Sequence, residues 1–175
     1  MEENNFYNNP LKIIWKSKKV IMPLYLIVIW TILLLISLIG TIWLDFMDFS
    51  SFKAKEYFTL SSTGLTLTLA LFVAGKNAFN DSDLEVLATY KGEFGEKEPG
   101  YALLEFLAPY VFTSILFLIT GLISLFSPFI KNPLDPFTTL ILKVIYINML
   151  SLGLFSLFNL VITMLNDVFS AAFRK

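Results

Sequence analysis

Residues 62 to 75 read STGLTLTLALFVAG. Leucine alternates with threonine or alanine through its centre, a period of two that on its own argues for a half-buried strand. The solvent argues otherwise. Of the 175 residues, 56% are hydrophobic and only 15% charged, against about 25% charged in an average soluble domain. With a mean hydropathy of +0.71, the composition is that of a membrane protein. A lone strand in lipid leaves its backbone unpaired, and a barrel needs about eight or more similar strands, which this chain lacks. The segment therefore reads as a helix. At helical spacing Ser62, Thr66, Ala70, Ala74 and Ala78 fall four apart, a ridge of small residues that lets another helix approach closely. Two uses follow: packing within one bundle, or contact between protomers.

Four stretches carry no charge: Val20 to Leu44, Tyr57 to Gly75, Phe106 to Phe126 and Val144 to Leu165. A hydrocarbon core of about 30 Å needs about 20 apolar residues of helix, so each can span. The expected fold is an all-α integral membrane protein: one domain over 1–175, with spans at 20–44, 57–75, 106–126 and 144–165. The first span reads as a retained anchor rather than a signal peptide. Positive charge near span ends stays on the cytoplasmic side. Lys12, Lys16, Lys18, Lys19, Lys76, Lys91, Lys97, Arg174 and Lys175 fall on one side, against Lys53, Lys55, Lys131 and Lys143 on the other, which puts both termini inside. Trp15 and Trp43 bracket the first span at headgroup level, whereas Trp30 falls near its middle.

The fourth span carries a polar stripe. Asn148, Asn159 and Asn166 are separated by 11 and 7 residues, which places them within about 20° of one another on a helix. Ser151 and Thr163 widen the stripe. Amides facing lipid are costly, so the stripe faces protein or water. Interhelical hydrogen bonding and the lining of a pore both satisfy that demand. The Thr59, Ser62 and Thr66 side of the second span is the next candidate lining.

Outside the spans, residues 10–19 predict a short basic interfacial helix, with Asn9 as N-cap and Pro10 opening it. Leu11, Ile14 and Trp15 share one face and Lys12, Lys16 and Lys19 another, a form suited to an anionic leaflet. The loop over 76–100 predicts a short helix from the capping-box pair Ser82 and Glu85, then a Gly-rich turn. Its three lysines and six acids leave it net −3, with Glu93, Glu96 and Glu98 forming an acidic cytoplasmic mouth. Glu105 and Lys143 lie near span ends, from which long side chains reach the interface.

With no His and no Cys, the chain lacks the usual general base, thiol nucleophile and soft metal ligands. The run from Asp81 has Val86 and Gly92 where a calcium loop requires glycine and a bidentate glutamate. No enzyme activity, cofactor or metal is expected. Two function classes remain: a self-assembling pore or permeability effector conducting inorganic ions, and an accessory subunit of a larger membrane complex.

In size and layout the chain resembles the small multi-pass effectors of bacterial antiphage defence operons. That resemblance implies a homo-oligomer in the inner membrane, released by a cytoplasmic protein, nucleotide or nucleic-acid trigger. For an anionic trigger, the landing place is the girdle of Lys12, Lys16, Lys18, Lys19, Arg174 and Lys175, for which anionic lipid is the simpler ligand.

The topology is directly checkable. Reporters fused at either terminus or near Gly95 should report cytoplasm, and those near Phe49 or Asn132 the opposite side; a periplasmic signal at Gly95 overturns the four-span arrangement.

Overall fold

A computed structural model describes residues 13–15, 17, 21–44, 46–77, 81–90, 100–130 and 134–173. Among them there is no strand. Helices α1 (Leu24–Ile42), α2 (Phe58–Asn77), α3 (Asp81–Thr89), α4 (Tyr101–Phe126) and α5 (Pro136–Phe173) follow in chain order, with single 3₁₀ turns at Ala54–Tyr57 and Ser127–Phe129. Four of these, all but α3, are long and apolar enough to cross a membrane. The chain is a multi-pass membrane protein.

Local chemistry explains where the helices begin. Pro23 precedes α1 and its carbonyl accepts from the amides of Leu26 and Ile27. Gly100 takes φ 83°, the left-handed region open to glycine, immediately before α4. Asp135 caps α5: its carboxylate accepts from the Thr138 amide at 3.0 Å and hydroxyl at 2.6 Å, with Pro136 at the first helical position. Those bonds hold the Asp135 carboxyl below its ordinary range. Helix α5 thus starts at Pro136 rather than near Val144, because Lys143 interrupts a charge-free run without interrupting a helix. Likewise α4 starts at Tyr101 rather than at Phe106, which leaves Pro109 inside it. In α3 Ser82 is the second helical residue rather than the cap.

Helices α2, α4 and α5 pack on one another, and α1 attaches to α5. Their junction is Phe117 of α4, which is 1% exposed. Its ring lies against the Cα of Gly64 on α2 and Gly153 on α5, so a methyl group at Gly64 would collide with the ring and one at Gly153 would approach within 3.2 Å. Glycine is required at Gly64 for closeness, not for backbone conformation. Around the junction, the interior is populated by hydroxyls. Ser61, Thr68, Thr113, Thr120, Ser124 and Ser156 are all fully buried, while large aliphatic residues along α1 such as Ile29, Ile32, Leu35 and Ile39 are exposed. A soluble bundle has the reverse distribution. Lipid tails solvate leucine as well as another leucine does, so helices associate through close packing and hydrogen bonds instead.

The bonds are specific. Ser61 of α2 donates to Thr120 of α4 at 3.1 Å, and Thr120 passes its own proton to the Leu116 carbonyl. Thr113 of α4 donates to the Pro109 carbonyl at 2.7 Å, so Ser156 of α5 is the donor in the 2.5 Å bond between the two hydroxyls. Ser124 and Tyr146 share a third at 2.6 Å. At the other end a second apolar cluster joins Ile13, Ile21, Met22 and Leu26 to Leu104 and Ala108 of α4.

Gly64→Ala should lower unfolding stability in bicelles far more than Gly121→Ala, whose added methyl meets only Ser61 Cβ at 3.4 Å. Phe117→Ala should cost about 3 kcal/mol or more. Equal stabilities for the two glycine variants would remove the junction from the account.

Candidate polar and small-residue surfaces

The structure divides the asparagine stripe. Asn148 is buried at 3% exposure. Its Nδ2 donates to the Val144 carbonyl at 2.8 Å and to Ser37 Oγ of α1 at 3.2 Å, and its backbone carbonyl accepts from Trp30 Nε1 at 2.8 Å. A tryptophan in mid-span thereby finds its hydrogen-bond partner. Asn148 serves as interhelical adhesive in this protomer, the first of the two uses the stripe allowed. Ser151 is half-buried and donates to the Asn148 carbonyl. Asn159 is half-buried, with Thr163 donating to its carbonyl at 3.0 Å, and Thr163 and Asn166 are exposed. One angular position on a long helix thus runs from the bundle interior to its surface.

Helix α2 carries two small faces rather than one. Ser61, Gly64, Thr68 and Gly75 are buried against the other helices. Ser62, Thr66, Ala70 and Ala74 are all exposed, and at 100° per residue their mean direction lies about 170° from that of the buried set. The ridge noted in the sequence is therefore not the face that packs within the protomer. Thr59 and Thr63 lie on the same exposed side. Two of its hydroxyls are satisfied locally, Ser62 donating to the Thr59 carbonyl and Thr66 to the Ser62 carbonyl, which lowers the cost of meeting lipid. Periodicity could have found the second face: a 3–4 spacing through 61, 64, 68 and 75 is present alongside the uniform spacing of four.

Lys143 does not extend freely into solvent. Its Nζ donates to the Phe49 carbonyl at 2.8 Å and ties the α1–α2 connection to α5. Glu105 is half-buried, just beyond the first turn of α4. Of the interfacial segment 10–19, Ile13–Trp15 is helical, with the Ser17 amide bonded to the Ile13 carbonyl. Ile13 and Ser17 face the protein and are buried, whereas Trp15 is 75% exposed. The basic residues Lys12, Lys16, Lys18, Lys19, Arg174 and Lys175, the mouth acids Glu93, Glu96 and Glu98, and Ala78 at the ridge end lie outside the described residues. Among the described residues no group of His, Cys, Asp or Glu could hold a metal ion.

The chain matches no protein-family model, no curated protein and no solved structure.

Asn148→Leu should cost about 1 kcal/mol of unfolding stability, the order of an interhelical hydrogen bond in a membrane, and Asn159→Leu less. Retention of wild-type stability by Asn148→Leu would show that the bond between Asn148 and Ser37 contributes nothing to holding α1.

Proposed function

We propose that the protein self-assembles in the bacterial inner membrane, both termini cytoplasmic, into a cation-conducting permeability pathway released by a cytoplasmic signal. The observation that carries this reading is the exposed small face of α2, Ser62, Thr66, Ala70 and Ala74. Inside the protomer a face of that kind is what brings two helices together, and a second copy is the simplest occupant for the unused one. Phe117, Leu160 and Val144 fill the protomer's interior, so an ion path runs between protomers. Its lining draws on the exposed hydroxyls of Thr59, Ser62 and Thr66 and on Asn159, Thr163 and Asn166, with Asn148 committed to the α1 contact and Ser151 bonded to the Asn148 carbonyl within α5. The acids Glu93, Glu96 and Glu98 raise cation concentration at the mouth, and the basic girdle takes anionic lipid or an anionic trigger. An antiphage role remains part of the proposal through layout alone.

The test is mass in mild detergent followed by ion flux in liposomes. Wild type should be an oligomer that conducts. Ala70→Leu and Ala74→Leu, which add bulk without lowering hydrophobicity, should weaken association by about tenfold or more, about 1.4 kcal/mol, and reduce flux in parallel. Replacing Glu93, Glu96 and Glu98 with Gln should lower cation preference mainly at low salt. A monomer without flux would assign the same face to another chain and make the protein an accessory subunit.

A further inference from the structure

Where α1 ends and α5 begins, the structure forms an open pocket of about 510 Å³, within the size range of small-molecule sites, roughly 300 to 1,000 Å³. Met47, Leu134 and Leu140 give it apolar walls, and Asp48 and Lys143 give it one charge of each sign. These charges are not paired with each other. Lys143 Nζ is fixed by the Phe49 carbonyl at 2.8 Å, using one of an ammonium's three donors. Asp48 is fixed by Ser50, whose amide and hydroxyl each donate to it at 2.7 Å. Those two bonds hold its carboxyl below the ordinary range, and the nearby Lys143 charge adds to the effect. Asp48 is therefore ionised at neutral pH. Each charge is oriented by a neutral partner, and each keeps capacity for another hydrogen bond.

The pocket also lies at a particular depth. It opens at the ends of two apolar spans, and Trp43, at the C-terminal end of α1, is exposed, as in an interfacial aromatic belt. A ligand carrying a phosphate and a primary ammonium two carbons apart complements a lysine and an aspartate in one pocket, and its apolar remainder suits the walls. We infer that this pocket binds the phosphoethanolamine headgroup of an aminophospholipid, phosphate on Lys143 and ammonium on Asp48. The choline headgroup has no N–H to give Asp48, and the glycerol headgroup has no cation. Selectivity among three common lipids thus follows from the two side chains. The inference stands apart from any pore, since it needs only one protomer and a bilayer.

The test reconstitutes the full chain in vesicles of equimolar phosphatidylethanolamine, phosphatidylcholine and phosphatidylglycerol, extracts it in mild detergent and measures retained lipid by native mass spectrometry. Wild type should retain the ethanolamine lipid over the other two by about tenfold. Asp48→Asn, which can keep the turn with Ser50, should abolish preference for the ethanolamine over the glycerol lipid. Lys143→Gln should lose retention of both, and Lys143→Arg should restore it. Equal retention of all three lipids by wild type, or an ethanolamine preference that survives Asp48→Asn, would overturn the inference. If Lys143→Gln does not fold, Asp48→Asn alone decides. Full competition by free O-phosphoethanolamine in solution would overturn the lipid assignment in favour of a soluble ligand.

Discussion

Phe117 can occupy the centre of the bundle only because two glycines stand opposite it. With Gly64 on α2 and Gly153 on α5 both against its ring, one side chain fixes the distances of three helices at once. The hydroxyl pairs then fall into register around it: Thr120 lies one turn to one side and Thr113 one turn to the other, reaching Ser61 and Ser156. Lipid makes this arrangement necessary. Where burying leucine against leucine gains little over leucine against an acyl chain, shape and hydrogen bonding must discriminate between arrangements. Some hydroxyls bond locally, as Thr68 does to the Gly64 carbonyl at 2.8 Å, whereas Ser61 and Ser156 spend their protons between helices.

Helix α1 is attached differently. It meets α5 through Ser37 and Trp30, both converging on Asn148, and otherwise presents isoleucine and leucine outward. The two Nδ2 protons of Asn148 are divided between Ser37 of α1 and the Val144 carbonyl of its own helix. Within the described residues, two further contacts hold α1 at its ends: Leu26 joins the cluster on α4, and the Lys143 bond to Phe49 fastens the chain that follows it. An attachment made of a few directional contacts is more easily released than the glycine-lined junction of α2, α4 and α5.

Much of the fold was legible in the sequence, because charge-free length is a direct consequence of bilayer thickness. The helix bounds were less so. Charge marks where a segment can lie in lipid, but caps mark where a helix starts, and Asp135 with Pro136 begins α5 well before Lys143. Surfaces were legible only in part. The spacing of Ser62, Thr66, Ala70 and Ala74 picks out one face of small residues, yet which of two opposite faces of α2 turns inward depends on Phe117, a residue distant in sequence. The asparagine stripe shares that limit: periodicity gives an angle about the helix axis, and whether that angle meets protein changes along a helix as long as α5. In the N-terminal segment the sequence pattern reads Leu11, Ile14 and Trp15 as a lipid-facing stripe, but Ile14 packs with Ile13 against the protein, Ser17 is buried, and Trp15 is exposed.

The two small faces of α2 also differ in composition in a way that bears on their use. The buried one places Gly64 at the point of closest approach and sends Ser61 across to α4, so both its shape and its polar groups are spoken for. The exposed one is smooth but has no glycine among its four members, and its Ser62 and Thr66 hydroxyls return to their own helix. It is built to be stable against lipid and still permit a neighbour. Such a surface suits an association that forms and dissolves in the membrane better than one fixed during folding: its Ser62 and Thr66 protons are satisfied when the neighbour is absent, and only a modest rearrangement of them is needed when it arrives.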